Sequence, residues 1–231
     1  MDKSIGIGVS DFKKIIQNNI YYVDKTEFIK EVIDDKSEVL LITRPRRFGK
    51  TLNMNMLSYY FDIENKSNKK LFKGLKIMDA GEKYLKEMCS YPVINLSFVK
   101  LKENSYKNMI LSIKNIIANI YEKYRYLLES DKISKEEKVK IKKILSAKEN
   151  EVDLKDSIWN LTKYLQKYYN KKVILLIDEY DVPIQSAYVE GYYKEAVDFV
   201  RGMYTSCLKD NEYLEKAVVT RSIKNCKRKY I

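Results

Sequence analysis

The feature that most constrains the fold of this chain is an aliphatic run that ends in acids. Residues 172–178 read KVILLID, the most uniformly aliphatic stretch of the sequence. A strand of this kind is covered on both faces, which is typical of a parallel sheet flanked by helices. Asp178 and Glu179 stand at its carboxyl end, where a buried acid without a partner is costly. The run therefore predicts a central strand of an α/β sheet whose acids have a binding partner.

Strands and helices alternate along the rest of the chain. Residues 130–150 mix both signs of charge around a narrow apolar stripe, which favours a solvated helical insertion over a nucleic-acid-binding arm. No internal repeat or glycine-rich linker divides the chain, so the alternation predicts an α/β fold with a parallel sheet. Apolar runs predict the other strands at 38–43, 93–98 and 217–220, and helical spacing predicts helices at 50–61, 106–128, 154–169 and 192–208.

Composition agrees with a globular chain and excludes several other classes. Hydrophobic residues make up 45% of the 231 residues, which is enough for a core and too much for a disordered chain. Three scattered cysteines and no histidine exclude a disulfide framework and a histidine-containing zinc site, and they fit a reducing, cytoplasmic setting. The sequence has no signal peptide and no run of ~18 apolar residues, so we expect no membrane partner.

The net charge is strongly positive. With 44 basic and 32 acidic residues the chain carries +12, which can indicate a nucleic-acid or anionic-membrane partner. Codon bias is the alternative explanation, because the abundant Lys, Asn, Ile and Tyr are encoded by A/T-rich codons. Residues 221–231 hold five basic residues and no acid, which leaves +7 for residues 1–220. Much of the basic character therefore belongs to the last eleven residues.

A basic loop joins the first predicted strand to the helix at 50–61. Residues 44–51 read RPRRFGKT and match the second half of the phosphate-loop pattern GxxxxGK[ST], with Arg44 in place of the first glycine. In such a loop Gly49 lets the backbone approach phosphate oxygens, Lys50 reaches the β and γ phosphates, and Thr51 offers a hydroxyl to Mg²⁺. The alternative is an ordinary basic surface turn.

The acids after the central strand complement this loop. Asp178 is predicted to hold the water shell of Mg²⁺, and Glu179 to polarise an attacking water as general base. Alone, the two acids could also be a strand cap at the start of a turn. Loop and acids together, in this order along the chain, predict a nucleotide site.

On these motifs the chain resembles the AAA-ATPase-like family of prokaryotic P-loop proteins, which are predicted ATPases. The resemblance covers nearly the whole chain and includes residues 8–16 (GVSDFKKII), 22–26 (YVDKT), 44–51 and 176–181 (LIDEYD). The family loop usually reads RPRRFGK, so Arg44 fits the family. The resemblance implies a P-loop NTPase fold of the additional-strand class, in which the fourth strand, here 217–220, lies between the loop strand and the acidic strand.

The resemblance also implies ATP and Mg²⁺ as ligands and a set of site residues. Thr220, at the end of the last predicted strand, is the candidate polar sensor facing the γ phosphate. The implied set is Arg46, Arg47, Phe48, Gly49, Lys50, Thr51, Leu52 and Thr220 for the nucleotide, Thr51 and Asp178 for the metal, and Lys50 and Glu179 for catalysis.

Two parts of this prediction stay open. Arg46 and Arg47 can add positive charge near the γ phosphate or meet an acidic protein partner. In the segment 22–26, Tyr22 or Lys25 can contact adenine or a phosphate. The alternative for that segment is a helix cap by Asp24 or Thr26.

The chain departs from the family pattern after Thr220. The family continues with glycine and aliphatic residues, whereas residues 221–231 read RSIKNCKRKYI. One choice of codons for these eleven residues, read one base out of frame, encodes GVLKIAKESIF, which fits the family. We therefore predict a one-base insertion after codon 220, with an ATPase-like domain at 1–220 and a non-family tail at 221–231.

This truncation leaves three functional hypotheses. The family's last strand, its helical lid and a C-terminal nuclease-like domain, through which alone we expect a nucleic-acid partner, would be missing. The first strand then becomes an unpaired apolar edge, which favours self-association or a protein partner. The first hypothesis is an ATP-binding module whose intact relatives hydrolyse ATP. The alternatives are a catalytically inactive nucleotide-binding remnant and a basic nucleic-acid-binding module.

Overall fold

The computed structural model describes Gly6 and residues 8–223. They form a four-stranded, all-parallel sheet in the order β1-β4-β3-β2, with helices on both faces. The strands are β1 (Val39–Pro45), β2 (Val93–Ser97), β3 (Val173–Asp178) and β4 (Leu214–Ile223). The helices are α1 (Phe12–Gln17), α2 (Glu27–Asp34), α3 (Lys50–Phe61), α4 (Glu82–Leu85), α5 (Tyr106–Lys123), α6 (Lys135–Leu145), α7 (Glu151–Lys155), α8 (Ser157–Tyr169), α9 (Val182–Glu190) and α10 (Tyr193–Leu208).

Strand β3 lies inside the sheet, and all six of its residues are buried. Its side chains alternate between two hydrophobic clusters. Ile174 and Leu176 belong to the cluster that contains α1, α2 and α3, whereas Leu175 and Ile177 belong to the cluster that contains α5, α8 and α10. Burial of each such side chain stabilises the fold by about 1.5–3 kcal/mol. The predicted parallel α/β sheet, covered on both faces, is confirmed.

The order of the strands brings distant parts of the chain together. Strand β4 lies between β1 and β3, as expected for the last predicted strand, and pairs Leu41 with Val219 on one side and Leu176 with Val218 on the other. Strand β1 is an edge strand of the described sheet, and Leu41 is 51% exposed on it. The carboxyl ends of β1, β3 and β4 therefore meet at one edge of the sheet.

Three predicted helices differ from the observed ones. The helix predicted at 154–169 is divided, because α7 ends at Lys155 and α8 begins at Ser157. The helix predicted at 106–128 ends at Lys123 and continues as a 3₁₀ helix, Arg125–Glu129. Between them, buried Tyr124 donates a hydrogen bond of 2.6 Å to the carbonyl of Val93. Helix α6 of the predicted insertion begins with a capping box; Ile141, Ile144 and Leu145 of its apolar stripe pack into the larger cluster, whereas Val139 is exposed.

The last strand is longer than predicted. Strand β4 extends beyond 217–220 at both ends and continues through Ile223, across the predicted domain boundary after Thr220. The first three residues of the predicted tail thus belong to the sheet, and the other predicted tail residues, 224–231, lie outside the described residues. Within the described part of the chain, no helix is long and apolar enough to cross a membrane.

Candidate functional site

Asp178, at the end of β3, is held by two hydroxyl groups from other elements. Its side chain is buried, with the residue only 5% exposed. Thr51, in the first turn of α3, donates to Oδ2 of Asp178 at 2.8 Å, and Thr220 of β4 donates to Oδ1. The hydrogen bonds satisfy a carboxylate that would otherwise be costly to bury. Loop and acidic strand, separate in sequence, thus meet at this carboxylate.

The loop between β1 and α3 uses two left-handed backbone positions. Arg47 has φ +68°, and Gly49, which precedes α3, has φ +74°. A left-handed conformation costs a non-glycine residue roughly 1–2 kcal/mol, which explains the glycine at 49. Among the described residues no side chain caps the first turn of α3, so its N–H groups can bind an anion.

Lys50 lies inside this loop with its ammonium group enclosed. The residue is 7% exposed, and its Nζ donates to the carbonyl oxygens of Arg44 and Pro45, each at 3.0 Å. The same Nζ lies 3.5 Å from Oε1 of Glu179. A lysine ammonium has three donors, and these three acceptors surround it. The predicted phosphate-binding lysine and the predicted general base are therefore neighbours.

Glu179 is held against β4 by backbone and side-chain contacts. Its φ is +56°, an uncommon value for a non-glycine residue, and its N–H donates to the hydroxyl of Thr220 at 3.0 Å. Its carboxylate accepts from the N–H of Ser222 at 3.1 Å and from the Ser222 hydroxyl. Sequence reasoning missed Ser222, because that residue lies beyond the predicted domain boundary.

A second ion pair lies beside this cluster. Asp181 is buried, and its Oδ2 lies 2.9 Å from Nε of Arg221, which is half-exposed. Gln185 also donates to this oxygen, while Oδ1 is buried without a hydrogen-bond partner among the described residues. Asp181 is the last residue of the motif LIDEYD, but no pattern in the sequence indicated its partner Arg221.

The other predicted loop residues do not reach the acids. Arg46, Arg47 and Phe48 are exposed, Phe48 to 60%. Neither Arg46 nor Arg47 forms an ion pair within residues 8–223. Leu52 is half-buried against the hydrophobic cluster of α1, α2 and α3. The structure therefore brings together Lys50, Thr51, Asp178, Glu179 and Thr220. Arg46, Arg47, Phe48 and Leu52 lie outside this cluster.

A cavity of about 710 Å³ opens next to the cluster. Its volume is within the usual range of small-molecule sites, roughly 300–1,000 Å³. Residues from the loop, from the exposed side of β1 and from the segment before α2 line it, among them Lys25, Phe28, Ile42, Phe48, Lys50 and Thr220. Lys25 lines this cavity, and its contact with adenine or a phosphate stays a prediction.

Tyr22 does not share that position. Its ring packs edge-on against Phe12 at 5.5 Å, and its hydroxyl donates to Sδ of Met56 at 3.4 Å. Burial raises the pKa of Tyr22 to about 12. Tyr22 therefore contributes to packing between α1 and α3.

The predicted helix cap is also different from the observed one. Thr26 precedes α2 but makes no side-chain cap; its hydroxyl instead accepts from the N–H of Ile77 at 3.1 Å. Asp24 accepts from the N–H of Thr26 and from that of Lys76, both at 2.8 Å. Partial burial acts to raise the pKa of Asp24, but these hydrogen bonds outweigh it and hold the pKa below its ordinary value. Through these hydrogen bonds the segment before α2 holds the helix against residues 76–79.

The donor set fits a magnesium ion. Within residues 8–223 no three or more Asp, Glu or Cys side chains form a metal-binding group. Thr51 and Asp178 offer hard oxygen atoms at one place, and Mg²⁺ typically takes one or two protein oxygens together with water and substrate phosphates.

A family described as predicted AAA-ATPase matches residues 6–228, and the chain belongs to this family. The chain is also similar to an uncharacterized protein in the vnfD 5′ region of Azotobacter chroococcum mcd 1, at 36% identity over 97 residues. That alignment covers 42% of this chain and only 17% of the relative. No solved structure matches the chain.

Proposed function

We propose that the chain binds Mg²⁺-ATP at the carboxyl edge of its sheet, as a P-loop module of the additional-strand class. The observation that carries the proposal is the hydrogen bond of 2.8 Å between Thr51 and Asp178. It joins the hydroxyl of the phosphate-loop motif to the acid at the end of β3, and Lys50 and Glu179 lie in the same cluster. Family membership supports the nucleotide as ligand.

Each residue of the cluster has a role in this proposal. Lys50 binds the β and γ phosphates together with the N–H groups at the start of α3. Thr51 and Asp178 hold the metal ion, which supplies charge stabilisation on the phosphates when it is bound. Thr220, which lines the cavity, stays a candidate contact to the γ phosphate.

Hydrolysis, in this proposal, is an in-line attack of water on the γ phosphate. Glu179 accepts a hydrogen bond from the attacking water and orients it. Lys50 offsets the charge that develops on the phosphate oxygens. Nζ of Lys50 and Oε1 of Glu179 lie 3.5 Å apart, so both side chains can act on the same phosphate group.

Replacement of Lys50 tests the proposal. We expect Lys50→Ala to lower the affinity for Mg²⁺-ATP at least tenfold in calorimetric titration, because its enclosed ammonium lies within the loop and pairs with Glu179. Lys83→Ala is the matched control, since Lys83 is an exposed lysine paired with Asp34 on the surface. Equal ATP affinity of wild type, Lys50→Ala and Lys83→Ala would contradict the proposed function.

A further inference from the structure

Strand β4 extends beyond the end of its partner β3, and Ser222 in this extension forms hydrogen bonds with Glu179. The last pair between these strands is Ile177 with Val219, whereas β4 runs on to Ile223 along β1. Beyond Val219, the side of β4 that faced β3 has no strand partner in the described sheet. The turn after β3, which begins at Glu179, fills this place, and the N–H of Tyr180 donates to the carbonyl of Thr220 at 3.1 Å.

Glu179 is bound there through both of its carboxylate oxygens. Oε2 accepts from the N–H of Ser222 at 3.1 Å, and Oε1 accepts from the Ser222 hydroxyl. Ser222 is 7% exposed and is paired with Arg44 in the ladder, so its position is rigid. Two bonds from one residue set both the place and the rotation of the carboxylate, as in other bidentate pairs.

This contact competes with the task of a general base. A carboxylate has about four lone-pair sites, and Ser222 takes two of them while the ammonium of Lys50 lies at Oε1. A water molecule must come within about 2.6–3.2 Å of a free carboxylate site to be activated. The Ser222 hydroxyl and such a water compete for Oε1.

We infer that Ser222 is a positioning residue that restrains Glu179 against β4 and thereby limits the rate of ATP hydrolysis without limiting ATP binding. The inference rests on the proposed function. Ser222 acts only through Glu179, since its hydroxyl and N–H both bind that carboxylate. Lys50, Thr51 and Asp178 make no hydrogen bond to Ser222, so phosphate and metal binding stay intact.

The test is a gain of activity, which a misfolded variant does not produce. Ser222→Ala removes the hydroxyl and keeps the backbone N–H. Because a hydrogen bond to a charged group has a substantial free energy, we expect kcat for phosphate release to rise about three- to tenfold, with KM within about twofold of wild type. Ser222→Thr, which keeps the hydroxyl, is expected to stay at the wild-type rate.

Two further variants attribute the gain to Glu179. In a Glu179→Gln background, Ser222→Ala should bring no gain. Ser157→Ala is the matched control, because Ser157 is also buried and its hydroxyl bonds a carbonyl, that of Leu154 on the helical layer. We expect wild-type kcat for that control.

The outcomes separate the two proposals. Wild-type protein that binds ATP no better than Lys50→Ala contradicts the proposed function. Wild-type protein that binds ATP, together with a Ser222→Ala variant whose kcat is unchanged, lower or zero, overturns the restraint while ATP binding stands. An equal gain in Ser157→Ala overturns it as well.

Discussion

At the scale of single residues, the site depends on hydroxyl groups that satisfy buried carboxylates. Thr51 and Thr220 each give one hydrogen bond to Asp178, one per oxygen. These two hydrogen bonds offset the cost of burying the Asp178 side chain at the sheet edge. The same two hydroxyls lie on different elements, so the geometry of the site depends on the packing of α3 and β4 against β3.

Replacement of Thr51 tests the role of its hydroxyl. Thr51→Val keeps the shape of the side chain but removes the hydroxyl, so we expect affinity for Mg²⁺-ATP to fall roughly tenfold or more. Affinity for ATP without Mg²⁺ should change little, because Lys50 and the helix N–H groups remain. Titrations with and without Mg²⁺ measure the difference. Thr51→Ser is the control, and equal behaviour of the Val and Ser variants would refute a metal role for the hydroxyl.

At the scale of elements, the segment before α2 holds that helix against residues 76–79 and does not cap it. The pKa of Asp24 lies below its ordinary value of 3.8. A lowered carboxyl pKa means that Asp24 stabilises the fold above pH 3.8, and that this contribution is lost as the pH falls through the lower folded-state pKa. The contribution depends on the N–H groups of Thr26 and Lys76.

Neutralisation of Asp24 should remove this pH dependence. At pH 7 we expect Asp24→Asn to lower the free energy of unfolding by about 1 kcal/mol, because an amide replaces a charged acceptor at a partly exposed site. The difference from wild type should shrink towards pH 3. Denaturant unfolding at several pH values measures it. Glu31→Gln, an exposed position on α2, is the control and should have little effect on the unfolding free energy at pH 7.

Local patterns were sufficient to predict the central elements. The helix at 50–61 and the buried strand before Asp178 follow from hydrophobic periodicity and agree with the structure within one residue. The end of α5 could not be predicted from periodicity, because the hydroxyl of Tyr124 donates a hydrogen bond to the carbonyl of Val93, which is distant in sequence. The extension of β4 did not follow either, because polar Arg221 and Ser222 continue the strand by pairing with β1.

The site shows the same division. The motifs identified Lys50, Thr51, Asp178 and Glu179 as candidates, and these four lie together. The partners that hold them, above all Ser222, come from tertiary pairing, which no local pattern encodes. Arg46 and Arg47 lie in the same motif but are exposed, and the left-handed conformation of Arg47 is not encoded by any local pattern.

At the scale of the whole molecule, the end of β4 relates the fold to the predicted change of reading frame. The family match extends to residue 228, and β4 is continuous through Ile223. A shift of frame after codon 220 would give Gly and Val at positions 221 and 222. In-frame relatives would then lack the Ser222 hydroxyl, and the restraint on Glu179 would be particular to this chain.

Genomic DNA tests the predicted frame. We expect the DNA downstream of codon 220 to encode, one base out of frame, a glycine followed by aliphatic residues and then a further strand and a helical lid. Sequencing across codons 218–240 and beyond is the measurement. Early stop codons in that second reading frame would contradict both the predicted one-base insertion and the predicted domain boundary after Thr220.

The position of β4 between β1 and β3 also determines when this molecule can fold during synthesis. Strand β1 pairs, within the described sheet, with β4 alone, and Val39 meets Ala217. A ribosome must therefore release most of the chain before β1 gains a strand partner, and contacts of such long sequence separation form slowly. Until then the β1–α3 part of the chain can meet β3 only through side-chain packing, as between α3 and Ile174 or Leu176 in their shared hydrophobic cluster. Within the described sheet β4 is the last strand in chain order, so its pairing completes that sheet and brings Thr220 to Asp178.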